Sequence, residues 1–113
     1  VKASGRNRQI IVERAVEIGR NDLNEPEHRW NQIGRPLASY RPATARETLA
    51  SAEVGATMTD VFEVVWSPLM ARVTPKDRIL FNERVYDISR VEEIGRCEGV
   101  RFEATARADE GTP

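Results

Sequence analysis

Cysteine and histidine are almost missing from this 113-residue chain, which has one of each, Cys97 and His28. One cysteine cannot pair within the chain, so no disulfide framework holds the fold together. A lone thiol also suits manufacture in a reducing compartment. Metal centres need clustered His, Cys or carboxylate ligands, and the adjacent Glu92-Glu93 reads as a solvated turn instead. No Ser or Cys stands at motif spacing from His28, and no glycine-rich loop is present to cradle a phosphate. We therefore expect no enzyme, no metal and no cofactor. No apolar run approaches the roughly 20 residues needed to span a bilayer. The polar, basic N-terminus lacks the apolar stretch of a secretory signal, so no membrane partner is expected.

Charge of one sign is lacking too: 17 basic side chains stand against 18 acidic ones, a formal net charge of −1. A domain that grips nucleic acid by its backbone carries a clear basic excess. The exception is the N-terminal arm, where Lys2, Arg6 and Arg8 precede the first acid, Glu13. Three such residues read either as a solvated end or as contacts to DNA phosphates or an acidic neighbour. The chain is long enough for one domain that buries roughly 60–68% of its unfolded surface. Residues 1–7 are expected to be a flexible basic arm, 8–107 a single domain, and 108–113 a fraying tail.

What is there is mostly β pattern. Between Arg8 and Ile18, Ile10, Val12, Val16 and Ile18 fall on one face, with Arg14 interrupting it, while Gln9, Glu13 and Glu17 fall on the other. A polar turn over Gly19–Pro26 follows, in which Asn24 tolerates a left-handed conformation. Strands are expected next around Glu27–Ile33, anchored by Trp30, and around Leu37–Arg41 with Tyr40. Thr44-Ala45-Arg46-Glu47 has the form of a capping box, so one short helix is expected from Thr44 to about Gly55. Strand character returns over Thr59–Trp66, with Phe62, Val64 and Trp66 opposite Val61 and Val65. Ser67–Thr74 reads as a loop and Glu92–Gly99 as a polar turn. Val100, Phe102, Ala104 and Ala106 then alternate with polar residues in a last strand. The pattern predicts an all-β fold, a small β-barrel or sandwich of about six or seven strands, with one short helix between the middle ones. Trp30, Phe62 or Val64, Ile79 or Phe81, Tyr86 or Ile88, and Phe102 are expected to share one core.

The most informative stretch is Val73-Thr74-Pro75-Lys76-Asp77-Arg78-Ile79-Leu80-Phe81-Asn82-Glu83-Arg84-Val85-Tyr86-Asp87-Ile88. Pro75 marks a turn, and two strand-forming runs flank Asn82-Glu83 in the manner of a hairpin. This stretch resembles the C-terminal half of the bacteriophage head–tail joining family, the head-closure or stopper proteins. Other blocks are similar in the same order: Arg8–Arg14 as the first strand, Asp22–Pro26 and Trp30 as the turn and its tryptophan, Ala38–Pro42 as the closing strand, and Ala45-Arg46-Glu47 as the opening of a helix. Glu83 stands where the family has glycine. Without it a two-residue type I′ turn is less comfortable, so a longer or different turn is expected there.

The resemblance implies a structural virion protein of a tailed phage or phage-like particle, assembled in the bacterial cytoplasm and placed at the neck. Its implied partners are copies of itself in a ring, the portal or adaptor, a tail terminator or tail tube protein, and packaged double-stranded DNA held non-specifically. Ala43–Thr57 is the longest connection and is poor in large apolar groups, so the fold gains little from it. It is expected to project towards the DNA channel or an adjoining ring, with Arg41, Arg46, Glu47, Leu49, Glu53 and Thr57 as contacts; the plainer reading is that Leu49 caps one end of the barrel. Lys2, Arg6 and Arg8 are the expected contacts of the arm. The competing reading is a small OB or SH3-like barrel that binds nucleic acid or peptide, with Trp30, Tyr40, Phe62, Trp66 and Tyr86 as a stacking platform.

Overall fold

Residues 7–43 and 59–107 are described in the computed structural model. Among them the alternating runs form eight strands: β1 (Arg8–Gln9), β2 (Ile11–Arg20), β3 (Pro26–Gly34), β4 (Leu37–Arg41), β5 (Asp60–Val65), β6 (Arg78–Phe81), β7 (Arg84–Ile94) and β8 (Gly99–Ala106). All pair antiparallel in one sheet of order β1-β4-β5-β8-β7-β6-β2-β3. A single 3-10 turn, Met70–Arg72, interrupts the loop before β6. The helix expected from Thr44 lies outside the described residues.

The two ends of that order meet on the same stretch of chain. Only Ile10 separates β1 from β2, and only Arg35-Pro36 separates β3 from β4. Together they make one long bent hairpin, in which Gln9 faces Leu37 and Val12 faces Gly34. At the bend the Ile10 amide donates to the Pro36 carbonyl at 3.1 Å. The Gln9 side-chain amide donates to the Arg35 carbonyl at 2.6 Å. The sheet thus curls round to its own first strand, as a barrel does. The expected first strand is broken at Ile10, which accounts for the extra strand over the six or seven read from sequence.

The interior is apolar and continuous. Ile10, Val12, Phe62, Val64, Ile79, Val100, Phe102 and Ala104 are fully or almost fully buried, with Met70, Val73, Tyr86 and Ile88 around them. Tyr40, Phe62, Phe81 and Tyr86 form an aromatic cluster with ring centroids 4.7 to 6.3 Å apart, tilted or edge-on rather than stacked face to face, as ring quadrupoles favour. A bulge at Ser89, between Ile88 and Arg90, resets the alternation. Ile88 and Val91 are three residues apart, yet both reach the core, because the extra residue turns the strand over. That is why the sequence reads Glu92 onward as turn, whereas β7 continues to Ile94 and only Gly95–Glu98 turn.

Three other expectations are corrected. Val16 and Ile18 are 40% and 53% exposed rather than in the core. β6 pairs with β2 only over Ile11–Glu13, so β2 leaves the barrel beyond that point. Trp30 is half-buried and outside the core cluster; its ring lies 4.0 Å beneath the Arg78 guanidinium. At Asn82-Glu83 the chain does make a two-residue turn, closed by the Phe81–Arg84 pair. Its φ values are +53° and +64°, as a type I′ turn requires. Asn82 accepts this readily; Glu83 does so at a cost of about 1–2 kcal/mol, offset by burial of Ile79 and Tyr86 on the paired strands.

Candidate assembly surfaces

Past Glu13 and Gln32 the long hairpin runs on as a two-stranded ribbon, with strand partners on neither outer edge among the described residues. From Arg14 to Arg20 it extends about 20 Å at the usual rise per residue. A lone two-stranded ribbon is marginal in water, and this one is fastened at its root. Arg78 donates from Nε to Glu13 at 2.8 Å while lying over Trp30. On the other side the Asp77 carboxylate, with its side chain 1% exposed, accepts from Arg14 Nε and Nη2, both at 3.0 Å. It also accepts from the Thr74 amide at 2.9 Å, and Arg14 Nη2 reaches the Arg72 carbonyl. The hydrogen bond to Asp77 raises the Arg14 pKa above its ordinary value, against the opposing effect of desolvation. Arg14, which breaks the apolar face in the sequence, is thus the matched partner of a buried acid. A shallow groove of about 410 Å³ lies beside this pair, with His28, Arg72, Thr74 and Lys76 on its walls.

The tip of the ribbon is shaped by Asn21. Its Oδ1 accepts from the amides of Leu23 and Glu25, both at 2.9 Å, and its Nδ2 donates to Glu25. Its backbone bonds Glu25 and Asn24, while Arg20 donates to the Asn24 carbonyl at 2.8 Å. Asn24 takes φ +62°, as its side chain allows. This network holds up Leu23, 78% exposed, as the apolar apex of the turn.

At the opposite end of the barrel, β4 ends and β5 begins. The Asp60 carboxylate accepts from the Tyr40 hydroxyl at 2.8 Å and from the Ala43 amide at 3.0 Å. It therefore fixes the point from which the connection to β5 departs. Burial first, then the hydrogen bond to Asp60, raise the Tyr40 pKa well above the ordinary phenol value.

The outer face between these ends is a ladder of mixed charge. Arg101 bridges Glu63 at 2.8 Å and Glu92 at 3.1 Å, and Arg90 reaches Glu92 and Glu103. Arg101 and Glu63 are half-buried, whereas the more exposed pairs add little stability each; together they write a sign pattern that a docking partner must match.

Of the site residues expected from sequence, Arg8 is exposed at the start of β1, and Arg41 is exposed at the end of β4 with contacts inside the chain. Lys2, Arg6, Arg46, Glu47, Leu49, Glu53 and Thr57 lie outside the described residues. Tyr40, Phe62 and Tyr86, offered as a stacking platform, are turned into the core cluster instead. Sequence reading missed the Arg14–Asp77 fastening; its signal was an arginine on an apolar strand face, which needs a buried carboxylate. Among the described residues no three potential ligands gather as for a metal. Cys97 is exposed, in the β7–β8 turn.

No curated protein sequence matches the chain. The solution structure of protein SF1141 from Shigella flexneri 2a is similar in fold, with a TM-score of 0.73 at 14% identity, covering 96% of this chain and 100% of that one. A chain from the virion of a native gene transfer agent particle is also similar, with a TM-score of 0.55 at 20% identity, over 87% of this chain and 91% of its own. Residues 1–107 match the model of the phage head completion protein family, so the resemblance carried by Val73–Ile88 holds and the chain belongs to that family.

Proposed function

We propose that this protein is a ring-forming neck component that joins the portal or adaptor of a DNA-filled head to the tail and helps retain the DNA until ejection. The observation that carries this reading is the family match over residues 1–107. The physical features agree with it. A ring of identical subunits needs heterologous contacts that close on rotation, and a barrel with a two-stranded ribbon at one end and a long connection at the other offers two distinct docking ends. The mixed-sign outer face suits partners on both sides, where complementarity sets register more than affinity.

The connection beyond Ala43, with Arg46, Glu47, Leu49, Glu53 and Thr57, is proposed to face the DNA channel or the next ring. Its anchoring by Asp60 at the end away from the ribbon supports that assignment. Lys2, Arg6 and Arg8 are proposed to contact DNA phosphates or an acidic neighbour. The test is deletion of the gene in a strain that makes the particle. DNA-filled heads that lose DNA and lack tails, rescued by the intact gene, are the expected result. Tailed, DNA-filled particles in normal yield without this protein would overturn the reading.

A further inference from the structure

Two of the apolar surfaces that the described residues leave open differ in charge. The first is the ribbon tip, where the Asn21 network holds Leu23 outward beside the carboxylates of Asp22 and Glu25. The second lies on the outer face of β4 and β5. The Ala38–Val64 pair, continued by one residue, sets Leu37 beside Val65, and they are 53% and 55% exposed. Arg35 flanks this patch two residues before Leu37. Arg96 stands in the β7–β8 turn, which adjoins the end of β5 through the Trp66 amide and the Glu98 carbonyl at 3.3 Å. Neither Arg35 nor Arg96 pairs with an acid among the described residues.

We infer that the acidic ribbon tip of one copy docks on the Leu37–Val65 patch of a second copy, with Leu23 against the two aliphatic side chains and Asp22 and Glu25 facing Arg35 and Arg96. A chain cannot satisfy its own patch. Its tip lies about 35 Å along the strands from Leu37, and the hydrogen-bonded ribbon points away from the barrel. Prior ordering of the tip lowers the entropy cost of docking, which gives the Asn21 network a purpose that the stability of an isolated turn does not. Because tip and patch are different surfaces, the contact is head-to-tail and propagates from copy to copy, closing into a ring where the rotation allows. This names the self-contact within the ring proposed above and rests on that reading for its setting.

Cys97 supplies the test, because it is exposed one residue beyond Arg96. Leu23→Cys places a second thiol at the tip, where it costs little packing within the chain and keeps Asp22 and Glu25 to face the patch. Under mild oxidation with diamide, both particles and concentrated purified protein should give a ladder of covalent dimers, trimers and higher species. The ladder should vanish in Leu23→Cys/Cys97→Ser and weaken several-fold in Leu23→Cys/Asp22→Arg/Glu25→Arg. Dimers only, persisting in Leu23→Cys/Cys97→Ser, would show tip meeting tip and overturn the inference. Incorporation into particles without any ladder would overturn it too, while leaving the neck reading intact. A ladder from purified protein that never enters particles would keep the contact and remove the neck reading.

Discussion

Arg14 and Asp77 stand 63 residues apart in sequence and are joined by two parallel hydrogen bonds of 3.0 Å. Asp77 is buried while Arg14 remains partly open to solvent, so the acid depends on the pair more than the arginine does. The pair ties the Thr74–Asp77 turn to the root of the ribbon.

Asp77→Asn keeps the shape but removes the charge and one acceptor. A loss of about 1–3 kcal/mol is expected, the usual cost of leaving buried partners unsatisfied. Urea denaturation measures it, and an unchanged midpoint would show that the fastening is ornamental. Amide exchange should also quicken along β2 beyond Arg14 before it does so in β8.

Glu83→Gly should stabilise the protein. Removing the left-handed penalty gains about 1–2 kcal/mol, and the extra freedom of glycine in the unfolded chain returns about 0.4–1 kcal/mol of it. A net gain of about 0.5–1 kcal/mol is the expected outcome in thermal or urea denaturation. Destabilisation would show that the Glu83 side chain contributes more than its backbone costs.

Phe102→Ala should cost about 3–5 kcal/mol, as large-to-small changes in a filled core do. Phe102 is fully buried and stands opposite Phe62 and Val91 in the register. A measured loss under about 1 kcal/mol would contradict its place in the core.

Tyr40 predicts an alkaline limit. Its folded pKa is raised above the ordinary phenol value, chiefly by burial, so the unfolded state ionises first. The stability it confers is complete below about pH 10, the unfolded pKa, and declines as pH rises through the folded value. Tyr40→Phe should lose about 1 kcal/mol at pH 8 with the Asp60 bond, yet show a shallower fall in urea midpoint above pH 10. Parallel slopes for the two proteins would rule the tyrosine out.

Much of the barrel was legible because strict alternation marks half-buried strands. Phe62 and Val64, and Val100, Phe102 and Ala104, are where their spacing puts them. Alternation failed where the chain adds a residue. The bulge at Ser89 hid the second half of β7, and the break at Ile10 split one strand into two. It also misread Val16 and Ile18, because period two tells which residues share a face and not whether anything covers that face. The turn at Asn82-Glu83 was misjudged because tertiary pairing can impose a left-handed glutamate against local preference. The surfaces were the least legible: the meeting of Arg14 with Asp77, or of Asp60 with Tyr40 and Ala43, depends on how the sheet curls, and no local pattern reports that.

The bent hairpin makes the ribbon an extension of two staves of the barrel rather than an appendage to it. A pull or a twist at Leu23 is carried along hydrogen-bonded strands to Ile10 and Pro36, where the barrel closes. The ribbon therefore has the geometry of a lever on that seam, fastened at its root by the Arg14–Asp77 and Arg78–Glu13 pairs. The exposed side chains of Asp22 and Leu23 make none of the hydrogen bonds that shape the tip, so they can change without loss of fold. A new partner for the tip could be acquired there while the barrel stayed as it is.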